Sequence, residues 1–422
     1  MPPYIEIART LEAVSRVERR DDKAEVVASL LKSHPPEMLR PTVRLLSGKL
    51  WPPWESREMG IGPENLGEVL EEISSRVVSP EAKRTDLGDL AEMMVQNRSQ
   101  QALTSSKMDA LHVYDALRQI SVQKGAGSLF RKRSLLKGLF LNASPIEAKY
   151  IARTVLGRMT VGLGPSLMSS AIGKAFSADE RLVKRAYSFL PDFGMVALKA
   201  FRGEIFEARL SPPNPFRLMV FRRERHPWDA IQRAGRAAYV VRYGGLRVQV
   251  HKFNDQVFIY SYQLRNVTPS LQVLAEGVMK VRGNFVLEGE FLLVQQDKIL
   301  PRSEMVGRIN LKGRARDSAI PSFAASDLLY LDGVELIDKS YAERRRLLSR
   351  AMEGVAGKPL SAEVFLAEEL VSDDQKKAEK LLRRSLDQGF RGLVLRDLDG
   401  LYTPGSMSRW DAVIYVSESQ RT

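Results

Sequence analysis

A chain of 422 residues with 44% hydrophobic and 27% charged residues is folded globular material of two or three domains, and its formal net charge is +13. It has no cysteine, which excludes a disulfide scaffold, thiolate metal sites and cysteine catalysis. No apolar run approaches the ~18 residues that span a bilayer, and the start Met1-Pro2-Pro3-Tyr4 has neither the basic nor the apolar part of a signal peptide, so a cytoplasmic location and no membrane partner are expected.

Residues 1 to about 200 read as helices, with no strand-like alternation of any length. Over Lys107–Ser121, Leu111, Tyr114, Leu117 and Ile120 fall on one helical stripe. At Ser144-Pro145-Ile146-Glu147 the serine can cap, the proline suits the first helical position and the glutamate can reach back in a capping box. That helix runs from Ala148 to Leu156 and stops at Gly157. The pattern changes after Ser211-Pro212-Pro213-Asn214-Pro215, a linker or an ordered turn.

From Tyr239 the chain becomes rich in strands. Leu246–His251 and Gln256–Tyr262 flank an Asn254-Asp255 turn and predict a hairpin. Val286–Val294 predicts another strand, Tyr341–Met352 and Asp374–Gln388 predict helices, and Gly389 ends the second of these. Gly392–Arg396 reads as the final, buried strand. The fold class expected is multidomain α and α+β, with a helical domain over 1–205 and an α+β domain over 206–422.

Residues 101–250 hold 25 Lys and Arg against 10 Asp and Glu, while the rest hold 39 against 41, so one contiguous third carries the whole basic excess. Such a block suits a polyanion, of which nucleic acid is the commonest, and equally describes a solvated basic surface. Inside it lie two glycine-punctuated runs. In Gly125-Ala126-Gly127-Ser128 the glycines allow close backbone approach to a phosphate, Ser128 can donate, and Arg131-Lys132-Arg133 supply charge. The second run is Gly157-Arg158-Met159-Thr160-Val161-Gly162-Leu163-Gly164. Read singly, either run is also an ordinary helix–helix connection.

These runs, with Leu135-Leu136, Ala143–Tyr150, Leu46–Pro52 and Gly60-Ile61-Gly62, resemble the DNA-binding domain of archaeal ATP-dependent DNA ligases. The resemblance covers essentially the whole chain. It implies that the helical domain grips duplex DNA, intact or nicked, through Gly125, Gly127, Ser128, Arg131, Lys132, Arg158, Gly162 and Gly164. It also implies that the second half is an adenylation domain of nucleotidyltransferase fold, working with ATP and Mg in DNA repair and replication.

Within that resemblance the chemistry-bearing positions have changed. The family's nucleophile motif, Glu-Tyr-Lys-Tyr-Asp-Gly-Glu-Arg, aligns with Val240-Val241-Arg242-Tyr243-Gly244-Gly245-Leu246-Arg247, placing Arg242 where the lysine stands. A lysine amine can lose its proton and attack phosphorus; a guanidinium keeps its proton and delocalises its nitrogens. Ser261-Tyr262-Gln263 stands for Ser-Arg-Arg, and Ser326 for the phenylalanine that stacks on adenine. Arg391-Gly392 stands for Glu-Gly, and Arg396 for the lysine after it. Asp411-Ala412-Val413-Ile414 replaces Leu-Lys-Leu-Lys. Tyr402-Thr403-Pro404-Gly405 and Trp410 are kept as scaffold, and Glu290 keeps the position implied to contact ribose and metal.

Arg247, Glu290 and Arg396 are therefore expected as remnants of a nucleotide pocket, with no catalytic residue and no metal unless Glu290 still holds Mg. Glu290 and Arg247 are equally readable as an internal salt bridge. His34, His112, His226 and His251 show no metal spacing and read as structural. Weakened ATP and Mg binding is expected, and the oligonucleotide-binding domain that follows in the family is expected to be absent, since the chain stops at Thr422. The expected function is a catalytically inactive ligase-like protein on duplex or nicked DNA, hence nucleoid-associated. Two rivals are a working ligase with a relocated lysine, for which Lys252 is the nearest but poorly placed choice, and a non-catalytic subunit that recruits an active ligase or a sliding clamp.

Overall fold

The computed structural model describes residues 1–78, 86–98, 108–224, 226–310 and 319–414. Lys107, the side chain of Trp410 and the end at Thr422 lie outside the described residues. The chain divides into two compact units, Met1–Ala208 and Arg209–Thr422.

The first unit is built from α1 (Tyr4–Arg16), α2 (Arg20–Ser33), α3 (Pro36–Ser47), α4 (Pro63–Ser74), α5 (Leu87–Gln96), α6 (Ala110–Val122), α7 (Ser128–Asn142), α8 (Pro145–Val155), α9 (Pro165–Phe176), α10 (Glu180–Phe189) and α11 (Phe193–Phe201). Helix α1 obeys the one-face rule, burying Tyr4, Ile7, Ala8, Leu11 and Val14 at three- and four-residue steps, whereas α9 is buried all round over residues 167–173. Helix α6 starts where the Asp109 carboxylate accepts the Leu111 N–H at 2.7 Å, and it buries Tyr114, Leu117 and Ile120 while Leu111 stays half-buried. The capping box of α8 forms, with the Ser144 N–H donating to Glu147 at 2.8 Å and Pro145 in the first turn. Arg44 is buried in this core, where it donates to Asp192 at 2.6 Å, to Tyr114 Oη at 2.8 Å and to the Leu50 carbonyl at 3.1 Å. A buried guanidinium is tolerated because it is paired and hydrogen-bonded.

The second unit contains β1 (Val220–Glu224), α12 (Pro227–Arg233), β2 (Ala237–Val241), β3 (Leu246–Phe253), β4 (Gln256–Ser261), α13 (Gln272–Met279), β5 (Phe285–Gln295), β6 (Lys298–Ile299), α14 (Arg302–Asn310), β7 (Ile320–Leu331), β8 (Val334–Glu335), α15 (Tyr341–Ala351), β9 (Val364–Leu366), β10 (Glu369–Ser372), α16 (Gln375–Asp387), β11 (Leu393–Arg396) and β12 (Met407–Ile414). Two sheets result. One has the order β1-β12-β11-β2-β10; the other runs β4-β3-β5-β7-β8, with β6 beside β5 and β9 beside β7. Their shared core is aliphatic and aromatic, from Tyr239 and Val241 through Phe285, Phe291 and Phe323 to Leu393.

Local chemistry explains the elements. Asn254 and Asp255 adopt φ of +47° and +57°, the left-handed pair that a two-residue hairpin demands, and Phe253 pairs with Gln256 across them. Asp374 caps α16 by accepting the Lys376 and Lys377 N–H groups, and Gly389 follows its end at φ +80°. The Ser211–Pro215 run is an ordered turn in which the Asn214 N–H donates to the Ser211 carbonyl at 2.9 Å.

One expectation needs correction. The buried strand at Leu393–Arg396 forms, yet it is not the last: β12 follows, parallel to β1 and antiparallel to β11. Its pattern is masked because Asp411 is buried against Arg396, so a charge stands where alternation calls for an apolar residue.

Candidate functional site

A cavity of about 610 Å³ opens in the second unit. Strand β2 carries Val240 and Val241 to its floor, with Val394 of β11 and Val413 of β12 beside them. Arg242 follows β2 on a short loop pinned on both sides, its N–H donating to the Gly392 carbonyl at 2.9 Å and its carbonyl accepting the Arg391 N–H at 2.8 Å. Within that loop Gly244 has φ +90°, and a Cβ there would lie 2.5 Å from Arg391 Cγ. A side chain at this position would be strained and would displace the stem of Arg391, which fills the space.

Glu290 lies on β5 directly opposite Arg247 of β3, but those two are not ion-pair partners. Glu290 accepts the N–H groups of Gly244 and Gly245 at 3.0 and 3.2 Å, and its other oxygen faces Arg242 Nε at 3.8 Å. Burial pushes its carboxyl above the usual range, against the pull of Arg242 and of the Gly245 and Gly244 N–H groups. Arg247 instead pairs with Glu288, which also accepts the Tyr402 hydroxyl. The Arg247 guanidinium stacks over the Phe221 ring at 4.3 Å and stands 5.8 Å from Tyr262, and the Ser326 hydroxyl donates to the Glu288 carbonyl at 3.1 Å. The expected salt bridge is thus two bridges, each to a different partner.

Arg396 sits at the edge of the same cavity, fully buried, with ion pairs to Asp327 at 2.7 Å and Asp411 at 3.1 Å and its guanidinium 4.2 Å from the Tyr341 ring. Arg344 donates to Asp327 as well, at 2.8 Å. Arg396 is therefore a member of a closed internal network, in which two carboxylates already answer its charge. Arg302 and Arg265 complete the wall: the first donates to the Gly245 carbonyl at 2.9 Å, the second to Asn310 Oδ1 at 3.3 Å. Six arginines and two glutamates line this cavity, and no lysine does among the described residues. Phe221, Arg265 and Arg302 escaped the sequence reading, because nothing in their local spacing marks them and only the tertiary arrangement brings them to this wall.

Mg does not fit these side chains. One oxygen of Glu290 accepts two N–H groups and the other faces the Arg242 guanidinium at 3.8 Å, so a divalent cation would meet a positive charge there. For ATP, Ser326 offers no ring and Ala412 and Ile414 carry no charge, while six arginines, Phe221 and Tyr262 line the same cavity. Lys252 lies outside this wall: buried on β3, its Nζ donates to the carbonyls of Met279 at 2.9 Å and Val281 at 2.7 Å. His251 is also buried, His34 bonds Thr42 at 2.7 Å, and His112 and His226 are exposed. No cluster of three His, Asp or Glu suited to a metal occurs among the described residues.

In the first unit both glycine runs are built turns. Gly125 and Gly127 take φ of +77° and +70°, and the Ser128 N–H donates to the Gly125 carbonyl at 3.2 Å as α7 begins. Arg131 folds back over the turn, donating to Gln123 Oε1 at 3.0 Å and to the carbonyls of Ala126 at 3.1 Å and Lys124 at 2.9 Å. Lys132 Nζ donates to the Met59 carbonyl at 2.7 Å, while Arg133 pairs with Glu68 and Glu72. Neutral acceptors leave the charges of Arg131 and Lys132 uncompensated; Arg133 alone of the three is neutralised. In the second run Gly162 has φ +77°, Gly164 precedes α9, and Arg158 is exposed. The segment Gly48–Gly60 touches both turns, since a Cβ on Gly48 would meet Met159 Cβ at 3.0 Å and Met59 receives Lys132. Lys23 also reaches the second turn, 3.7 Å from where a Gly162 Cβ would stand, and no local signal in α2 announces it.

Among the described residues no helix is long and apolar enough to cross a membrane. Residues 3–173 match the family model described as DNA ligase N terminus, and residues 222–411 match the ATP dependent DNA ligase domain. A DNA ligase of Thermococcus fumicolans is 34% identical over 96% of this chain and 74% of its own length. One from Archaeoglobus fulgidus is 31% identical over 99% of this chain and 76% of its own. The solved structure Pmar-Lig_PreS3 shares the fold at a TM-score of 0.57, covering 97% of this chain and 78% of that one at 10% identity.

Proposed function

The chain belongs to the ATP-dependent DNA ligase family, and from that premise we propose that it holds duplex or nicked DNA without carrying out ATP-dependent strand joining. The observation that carries this reading is the cavity wall of six arginines with no lysine among the described residues. Strand joining in this family begins with an amine attacking the α-phosphate of ATP, and a guanidinium has no free lone pair to offer. Lys252 is no substitute, because two backbone carbonyls already hold its Nζ away from the cavity.

In this reading the helical domain, residues 1–205, is the DNA-holding body, with Gly125, Gly127, Ser128, Arg131, Lys132, Arg158, Gly162 and Gly164 at the phosphates. Residues 206–422 keep the adenylation fold as a scaffold, with Arg242, Arg247, Glu290 and Arg396 turned to internal contacts. ATP binds weakly or not at all. The test is the intact-protein mass after incubation with ATP and magnesium. An unchanged mass is expected, and an adenylate mapped to any lysine overturns the reading.

A further inference from the structure

Leu129 and Phe130, the second and third residues of α7, are 42% and 76% exposed, and Val122 at the end of α6 is 42% exposed just across the Gly125–Gly127 turn. Three large apolar side chains thus stand exposed within a few residues of one turn. Exposed apolar side chains rimmed by polar and charged residues are a feature of interaction sites. The turn that carries them is preformed. Its two glycines are left-handed, the Arg131 N–H donates to the Gly127 carbonyl at 3.1 Å, and the Arg131 guanidinium ties Gln123, Lys124 and Ala126 together.

The charge around the tip identifies the occupant. From Ala116 to Ile146 the chain has six cations, at Arg118, Lys124, Arg131, Lys132, Arg133 and Lys137, and no Asp or Glu. Lys124 and Arg131 flank the apolar tip and are exposed. An apolar point set between cations, on a rigid turn, suits a groove whose rims are phosphate and whose floor is stacked bases.

We propose that Phe130, supported by Leu129, is a wedge that enters the groove of duplex DNA and unstacks a base step while Lys124 and Arg131 hold the flanking phosphates. This rests on the DNA-holding reading above and adds to it a deformation of the duplex and the residue that causes it. An anionic membrane surface is the competing occupant for a basic, apolar tip.

The test uses the full chain with duplexes carrying 2-aminopurine at successive positions, reading affinity by anisotropy and unstacking by 2-aminopurine fluorescence. The wild type is expected to raise fluorescence at one step. Phe130→Ala should abolish that rise and weaken binding about fivefold or more, and Phe130→Trp should restore both. Because Phe130 is exposed, its replacement leaves the fold intact, which circular dichroism checks. Wild-type binding without a rise at any step, or an unchanged rise and affinity in Phe130→Ala, overturns the wedge and leaves the DNA-holding reading standing. Phe130-dependent capture by phosphatidylserine vesicles with no rise on DNA likewise overturns it. Failure of the wild type to bind any duplex sinks the DNA-holding reading itself, and the wedge with it.

Discussion

Arg242 Nε stands 3.8 Å from Glu290 Oε1, while Oε2 of the same carboxylate accepts the N–H groups of Gly244 and Gly245. The residue aligned with the family's nucleophilic lysine and the carboxylate expected at its metal contact thus lie beside each other. Restoring one member should not restore the reaction. In Arg242→Lys an amine returns, but Ser326, Ala412 and Ile414 still offer neither a purine stack nor phosphate charge. We expect no adenylate on Arg242→Lys by intact mass after ATP and magnesium; stoichiometric labelling would show that the pocket has kept its affinity.

Glu290 also has a purely structural role in the loop. Truncation in Glu290→Ala leaves two N–H groups without their acceptor and the Arg242 guanidinium without its nearby counter-charge, so unfolding of the second unit in urea should come about 1–3 kcal/mol easier. Glu290→Gln, which keeps one carbonyl oxygen for the glycine N–H groups, should lose less. Equal losses in the two variants would mean that the charge, and not the hydrogen bonds, holds the loop.

Asp327 is shared by two fully buried guanidiniums, Arg344 and Arg396, and Arg396 is shared in turn with Asp411. Burial pushes the Asp327 carboxyl up, but the two arginines outweigh it and hold it below the usual carboxylate range. Its contribution is therefore present above the unfolded-state value and lost only in acid. Asp327→Ala should destabilise the unit by about 3–5 kcal/mol in urea, because it strands buried positive charge. A loss under about 1 kcal/mol would show that Asp411 alone suffices for Arg396.

That network marks where sequence patterning stopped being informative. Capping residues, the Asn254-Asp255 hairpin and the helical stripe of α6 act within a few residues, so spacing alone reveals them. Strands β1 and β12 and the partners of Arg247 and Arg396 are settled by sheet order, which brings Glu288, Asp327, Arg396 and Asp411 together from four separate strands. The pairing of a basic residue with a carboxylate was legible; which carboxylate was not. Buried charge also disguised β12, since Asp411 breaks the alternation that would have announced it.

His251 gives the second unit a dependence on acid. It is fully buried, its Nε2 lies 2.9 Å from Gln249 Oε1, and Nδ1 has no partner. Burial pushes the imidazole down to about 3. A folded value below the unfolded ~6.5 means stability is fully present above 6.5 and is lost as pH falls toward 3, at up to ~1.4 kcal/mol per pH unit. The difference between wild type and His251→Asn in urea midpoints should narrow steadily from pH 6.5 to pH 4. A constant difference would mean that the imidazole is not neutral in the folded chain.

Salt dependence locates the DNA surface. The Arg131 and Lys132 head groups bond only neutral oxygens, so each keeps a whole charge, whereas Glu68 and Glu72 cancel that of Arg133. Each phosphate neutralised contributes about −0.9 to the slope of log K against log salt. Arg131→Glu and Lys132→Glu should each weaken duplex binding and flatten the slope by about that amount, while Arg133→Gln should leave the slope unchanged. Arg131→Glu also removes the tie across the turn, so Arg158→Glu, at an exposed residue of the second turn, supplies a comparison free of that complication. Anisotropy titrations across a range of potassium chloride read all four variants. Slopes unchanged in Arg131→Glu, Lys132→Glu and Arg158→Glu alike would place the phosphate contacts on another face of the helical unit.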